Sequence, residues 1–329
     1  MSSRPPDTAT VAEVVEDATT APSMHNAQPW SFRFLRDSGV LQLRGDPSRT
    51  MPVEDPTNRA LHLGCGAALL NLRVAAAHAG WSAVTSLLPD PADPWLFASV
   101  DLSGPPGADE ELALLHPAVR RRHTSRFPFT DEEIPEALMD GLRGAALLEE
   151  ARLTFPHAWH VKSLLDLVHD AEGREALTPE VREEVARWTQ TADGSDATRP
   201  EGIPAEAFGP RQWGANVPVR DFAGRRAVPG RETAKFEKWP RLALLGTSTD
   251  HPMDWLRAGQ AMERVLLQAT QDGLVASLTS QALEWPELRW AVRDPSSAVG
   301  YVHMVIRLGY GPVGPATPRR PVGEVLDVV

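Results

Sequence analysis

Two stretches far apart in the chain keep one spacing. Gly66 to Gly80 (GAALLNLRVAAAHAG) and Gly259 to Gly273 (GQAMERVLLQATQDG) run from glycine to glycine over the same number of residues, with apolar positions that match in between. Within the first, Ala60 to Ala79 reads as one long helix carried by Leu61, Leu63, Ala67, Leu70, Leu72, Val74 and Ala75, ending near Gly80. A helix this apolar is buried on more than one side. Strand-like sequence follows both copies: Ala83 to Leu88 and Trp95 to Leu102 after the first, Tyr301 to Leu308 after the second. The pattern fits an α+β module used twice, its copies packed as a pseudo-dimer about a two-fold axis. Chance sharing of alanine and leucine by two buried helices is the alternative. On the first reading, residues 1-107 form the N-terminal half and residues 108-329 the C-terminal half. Gly64-Cys65-Gly66 lacks the preceding strand and third glycine of a dinucleotide motif, so it reads as a site of close helix packing.

Composition narrows the function classes. A net charge of -11 leaves no basic surplus to neutralise phosphates, which argues against nucleic acid or an anionic membrane as the main partner. The single cysteine, Cys65, excludes an internal disulfide and fits a reducing compartment. Residues 1-20 hold no signal-type apolar run, and no 18-residue apolar window is expected anywhere. A cytoplasmic protein with no membrane partner follows.

Near the N-terminus, Val11, Val14, Val15 and Ala18 recur at helical spacing until Pro22 stops the helix. Then comes Pro22-Ser23-Met24-His25-Asn26-Ala27-Gln28-Pro29-Trp30, a stiff loop pinned by Pro29 and Trp30 ahead of a hairpin that turns at Asp37-Ser38-Gly39. Its neutral polar members, Ser23, Asn26 and Gln28, offer donors and acceptors suited to a heterocycle edge; a plain surface loop uses the same residues. Further on, Arg120, Arg121, Arg122 and Arg126 make a basic knot in an acidic chain, with His123 and Thr124 between them. Guanidinium forks beside a hydroxyl and an imidazole suit a phosphate dianion, although such a run also occurs on a solvated face.

On these two motifs the chain resembles the FMN-dependent nitroreductase family, and more closely its fused, Acg-type branch. That family pairs an Arg-Arg/His-Ser-x-Arg segment, which holds the flavin phosphate and ribityl chain, with a Pro-Ser-x-x-Asn-x-Gln-Pro-Trp loop that reaches across a dimer to the partner's flavin. Here the motifs fall in different halves: Pro22 to Trp30 in the first, Arg122-His123-Thr124-Ser125-Arg126 in the second. The N-terminal copy opens on Ser2-Ser3-Arg4-Pro5-Pro6 without a phosphate segment, and the C-terminal copy reads Ala145 to Glu150 where its own loop should stand. The resemblance therefore implies one FMN per chain, between the halves. It implies cofactor-binding roles for Pro22, Ser23, Met24, Asn26 and Gln28, for Arg122, His123, Thr124 and Arg126, and for Thr279 and Ser280 as backbone donors near flavin N5. Thr317-Pro318-Arg319-Arg320 resembles a last phosphate-facing segment, with Arg319 matching the family's arginine and Thr317 replacing its lysine.

Between Ala192 and Pro240 regular periodicity lapses and glycine and proline recur throughout. So long a stretch is either disordered or a cover, and Phe208, Trp213, Phe222, Phe236 and Trp239 favour a cover, because disordered linkers are poor in aromatics. Trp213, Arg220, Asp221 and Phe222 are the expected lid contacts. His157 and His160 share a helix face but lack a third metal ligand, and no nucleophile elbow is present, so neither a metal nor a catalytic side chain is expected. Flavin N5 would carry the chemistry. Three functions remain: an oxidoreductase passing electrons from NAD(P)H to a nitroaromatic, quinone or similar small acceptor; a protein that sequesters FMN beneath its lid; and a stress-related partner protein with structural flavin. An internal pseudo-dimer leaves both monomer and homodimer open.

Overall fold

The computed structural model describes residues 5-104, 109-190, 199-214, 217-224, 228-297 and 299-329; Ser2, Ser3, Arg4 and residues 192-198 of the expected lid lie outside this set. Helix α1 (Thr8–Thr19) starts where the Asp7 carboxylate accepts a 2.8 Å hydrogen bond from the Thr10 N–H, and stops ahead of Pro22. The hairpin of β1 (Trp30–Leu35) and β2 (Val40–Gly45) turns through Gly39 at φ +70° and buries Trp30, Phe32, Phe34, Leu41 and Leu43 on one face. Helix α2 (Arg59–His78) and strands β3 (Val84–Leu87) and β4 (Leu96–Asp101) complete the first half.

Two short helices, α3 (Glu110–Ala113) and α4 (His116–Val119), lead into the second half. There α5 (Glu136–Leu148) and β5 (Arg152–Thr154) are followed by α6 (Ala158–Leu177), α7 (Pro179–Arg187) and a two-stranded ribbon, β6 (Arg211–Trp213) with β7 (Thr233–Lys235). Then come β8 (Arg241–Thr247), α8 (Pro252–Gln271), β9 (Val275–Thr279), α9 (Gln281–Glu284), α10 (Pro286–Val292), β10 (Tyr301–Gly309), α11 (Val322–Val325) and β11 (Leu326–Val328). The sheets are ordered β11-β1-β2-β4-β3 and β5-β8-β10-β9.

The repeated glycines meet in space. A Cβ on Gly66 would stand 2.3 Å from the Leu256 carbonyl oxygen and 3.0 Å from the Gly259 Cα; one on Gly259 would stand 2.2 Å from the Leu63 carbonyl oxygen and 2.9 Å from the Gly66 Cα. These contacts exchange under the alignment that pairs Gly66 with Gly259 and Leu63 with Leu256. So α2 and α8 cross on a pseudo-two-fold axis, their backbones brought together by the absence of a side chain on either. The α+β pseudo-dimer is thus present as an intramolecular object.

Two expectations need correction. By length and composition α2 does qualify as a membrane-crossing helix, but 89% of its apolar window is buried, so its hydrophobicity fills the core between the halves. And the chain does not divide in space where it divides in sequence, because β11 runs parallel to β1, pairing Phe32 with Leu326, and extends the first sheet from the far end of the chain.

Candidate functional site

The loop after α1 makes one 3₁₀ turn, Met24–Asn26, and holds three non-glycine residues in the left-handed region: His25 (φ 49°), Asn26 (φ 55°) and Gln28 (φ 53°). Side chains without glycine's freedom persist there only when their surroundings over-determine them. Here the amides do so. Asn26 Nδ2 donates to the Gly202 and Pro318 carbonyls at 3.1 and 3.2 Å, while its Oδ1 accepts from Arg319 Nη1 at 3.0 Å. Gln28 Nε2 donates to the Pro200 carbonyl at 2.7 Å, and its Oε1 accepts the Arg320 N–H at 2.8 Å. The Ser23 hydroxyl accepts the Gln28 N–H at 2.9 Å. The loop is thereby sewn to the cover segment and to the C-terminal tail.

The basic knot is held beside it. Thr124 bridges to Ala276, the Ser125 N–H donates to the Ala276 carbonyl at 2.8 Å, and a Cβ on Gly314 would fall 2.0 Å from the Thr124 carbonyl oxygen. The four arginines of the site differ in what they are free to bind. Arg122 stands 3.3 Å from Glu263 inside the core, and its Nη2 donates to the Thr20 carbonyl. Arg319 donates to the carbonyls of Thr19, Thr20 and Ala21, so it caps the C-terminal end of α1. Arg320 leans toward Asp46 and Glu324. Neither Arg319 nor Arg126 pairs with a carboxylate among the described residues, but Arg126 is the less engaged: it donates only to the Ala207 carbonyl, at 3.0 Å, and lies 4.9 Å from the centroid of the Phe222 ring.

Together these segments enclose two adjoining voids. In the first, Pro22, Ser23, Met24 and His25 face Thr124 and Arg126 across the chain's midline; Leu63, Met262, Leu278 and Met304 supply apolar wall, and Gly64 leaves room where its Cβ would sit 3.2 Å from that of Ser23. Ser280 and Gln281 close one end, Arg220 and Phe222 the top. The second void is lined by Ser23, Asn26, Arg122, His123, Arg126 and Arg319, among others. Its field is cationic. Burial lowers His123 below its usual range, helped by Arg122 and Arg319; burial, then Arg122, pulls Arg319 down to about 9; burial, then Arg220, pulls Arg126 down to about 10. An apolar slot with hydroxyls at its side and cations at its end is the donor set a flavin mononucleotide needs.

The cover is anchored from above. Phe208, Phe222 and Phe236 are buried, and Arg220 enters the core to meet Glu54 at 2.7 Å, Glu175 at 3.0 Å and Glu284 at 3.0 Å. Burial opposes the Arg220 charge, but the three carboxylates hold its proton more firmly than usual. With Phe222 and Arg220 in these positions the two voids amount to about 90 and about 40 Å³, below the usual range of small-molecule sites of roughly 300 to 1,000 Å³. A cleft of about 690 Å³ adjoins the first void, sharing Arg220, Phe222 and Gln281 as walls.

Several expected residues stand elsewhere. Gln28 and Thr279 are buried behind the voids, the Thr279 hydroxyl donating to the Pro218 carbonyl, and Arg320 reaches the site only through its N–H to Gln28. Trp213 is 64% exposed on the ribbon, and Asp221 faces the adjoining cleft, paired with Arg231 at 2.7 Å. Geometry explains this: an amide whose donors and acceptors all bind backbone has none left for a ligand. His25, Glu54 and Gln281 were not singled out, although His25 sits inside the decisive loop. Among the described residues no group of three or more His, Cys, Asp or Glu could hold a metal; His160 binds the Val292 carbonyl instead.

The pseudo-symmetric position is built differently. Where ten residues join α1 to β1, three join α5 to β5. Glu149 in that short link meets Arg73 at 2.6 Å and Arg264 at 2.8 Å, and Arg257, which pairs with Gly64 in the repeat alignment, reaches Glu150 at 3.3 Å. Salt bridges occupy the place where the first half offers a slot.

No protein-family model matches the chain. It is 34% identical, over 99% of its own length and 94% of the relative's, to a Mycobacterium tuberculosis H37Rv protein that carries the provisional name NAD(P)H nitroreductase Rv3131. It is 28% identical to the provisionally named NAD(P)H nitroreductase acg of the same strain, over 98% of both chains. A solved FMN- and NADPH-dependent nitroreductase, NfnB from Sphigopyxis sp. strain HMH, overlays 65% of this chain and 97% of its own at 18% identity, with a TM-score of 0.40. Identity of 34% sustained along nearly the full length of both sequences places this chain in the NAD(P)H nitroreductase family.

Proposed function

We propose that the chain binds one FMN between its halves and uses it to pass electrons from NAD(P)H to a small aromatic or quinone-type acceptor. The observation that carries this reading is the meeting of the Pro22–His25 loop with Thr124 and Arg126, about a hundred residues apart, around a slot in which Arg126 has no carboxylate partner among the described residues. Arg126, His123 and Thr124 would hold the phosphate; Arg122, turned to Glu263 and the Thr20 carbonyl, and Arg319, bound to the carbonyls that end α1, would add field. Leu63, Met262, Leu278 and Met304 would flank the ring, with Ser280 at its edge. When bound, FMN supplies two-electron transfer chemistry at N5. The protein's part is to orient the ring, exclude water with Phe222, and admit the acceptor from the adjoining cleft. One flavin per chain follows from the closed pseudo-symmetric position, and a chain that carries its own pseudo-dimer functions as a monomer or homodimer in the cytoplasm.

The test is direct. Protein purified without denaturant should carry FMN and oxidise NAD(P)H in proportion to that FMN when benzoquinone is added; protein with no flavin affinity would refute the reading. The Arg220 anchor and the small voids support a second reading, sequestration under a closed cover. Flavin reduced by dithionite but not by NAD(P)H would select it.

A further inference from the structure

We propose that His25, held by Glu54, is the proton donor to the acceptor; this rests on the oxidoreductase reading above. Reduction of a carbonyl-type acceptor consumes a proton as well as a hydride, and a covered slot must supply it from its own wall. Of the described side chains that wall the void, Arg126 and Arg220 keep their protons, and the hydroxyls of Ser23, Thr124 and Ser280 are weak acids. The imidazole of His25 is the remaining general acid.

Its geometry is that of an oriented donor. His25 is 5% exposed, its ring edge-on to Phe222 with centroids 5.5 Å apart. Nε2 lies 2.9 Å from Glu54 Oε2, while Nδ1 hydrogen-bonds to no described residue. Burial works to raise the Glu54 carboxyl, but His25 and Arg220 override it and hold it at about 2, so Glu54 stays ionised and keeps a proton on Nε2. The nitrogen that gives up a proton is then Nδ1. The left-handed backbone at His25 keeps the ring on this side of the loop. Three charged groups surround the imidazole: Glu54 ahead of α2, Arg220 from the cover and Glu284 of α9.

The step balances with the acceptor named as a quinone. One carbonyl oxygen gains a hydride, two electrons and a proton, from the reduced cofactor; the other gains the Nδ1 proton. An Nδ1–H bond breaks, an O–H bond forms, the imidazolium becomes neutral imidazole, and the quinone leaves as hydroquinone. Solvent restores the proton between turnovers.

The experiment compares the wild-type holoprotein with His25→Gln. The rate at which NAD(P)H reduces the variant's bound FMN is the internal reference for each protein. Relative to that reference, reoxidation by benzoquinone should slow by about 10²-fold and lose its pH dependence, the usual scale for a lost general acid. Reoxidation by ferricyanide, which takes electrons without a proton, should be unchanged. Equal slowing with both oxidants, or no slowing with benzoquinone, overturns the donor while leaving the oxidoreductase reading intact. A wild-type protein that benzoquinone cannot reoxidise overturns both. A second readout needs no turnover: ¹⁵N-histidine NMR of the flavin-free chain should show neutral His25 protonated at Nε2, with that preference lost in Glu54→Gln. A neutral ring protonated at Nδ1 overturns the assignment.

Discussion

Replacing Arg126 with alanine separates the cofactor site from the fold. In the structure Arg126 gives one hydrogen bond to the Ala207 carbonyl and lies against the Phe222 ring. Losing these costs roughly 1.5 to 3 kcal/mol for the charge-assisted hydrogen bond and about 1 to 2 kcal/mol for the buried ring contact. Removing a desolvated cation offsets part of that. Net of that offset the sum stays below a typical stability of about 5 to 15 kcal/mol, so the variant should fold with a lowered melting transition. Against a phosphate the balance differs. A charge-assisted hydrogen bond contributes about 1.5 to 3 kcal/mol and a guanidinium fork makes two, from which the surrendered Ala207 bond is subtracted. A net loss of about 3 kcal/mol corresponds to a rise in Kd of more than 10²-fold. Titrating flavin-free protein with FMN and following the quenching of flavin fluorescence measures it. Arg126→Lys should recover part of the loss, since a point charge replaces the fork. A Kd for the folded Arg126→Ala variant within threefold of wild type would refute the phosphate role.

Other expectations follow from the same geometry. Gly64→Arg gives the open slot the residue found at its closed pseudo-equivalent, Arg257, and should abolish FMN binding with the circular dichroism spectrum unchanged; retained binding would contradict the slot. Gly259→Ala sets a methyl 2.2 Å from the Leu63 carbonyl oxygen at the α2–α8 crossing and should lower stability by about 1 to 3 kcal/mol in a denaturant titration. Glu284 is raised by burial from 4.5 to about 7, Arg220 opposing. Because its folded value lies above its unfolded one, its contribution is full below about pH 4.5 and is lost as pH rises through 7. Glu284→Gln should flatten that slope in stability measured between pH 4.5 and 7, and an unaltered slope would assign it to other groups.

The sequence carried the architecture further than the details of the site. The glycine spacing told of the duplicated helices because a crossing this close needs a missing side chain at one point on each partner, and that requirement survives divergence of everything around it. Ser23, Thr124 and Arg126 were legible for a similar reason: two motifs in different halves have use together only if the halves meet. What was not legible depends on partners remote in sequence. Asn26 and Gln28 look like ligand-facing amides until the carbonyls of Pro200, Gly202 and Pro318 arrive to occupy them. Arg122 and Arg126 are indistinguishable in the chain, and only the buried Glu263 on α8 separates an arginine beside a carboxylate from one that has none among the described residues. Within the cover, aromatic content marked a packed segment without telling which rings face inward: Phe208, Phe222 and Phe236 are buried, whereas Trp213 and Trp239 are 64% and 75% exposed. His25 was passed over because its partner, Glu54, lies in an irregular stretch without periodicity.

The number of flavins per chain tests the account most directly. Native mass spectrometry of the chain saturated with FMN should show a single bound FMN per polypeptide, lost in Gly64→Arg. Two bound molecules would mean that the Glu149–Arg257 side of the pseudo-dimer is open after all, and none at saturating FMN would mean that the halves enclose no cofactor site.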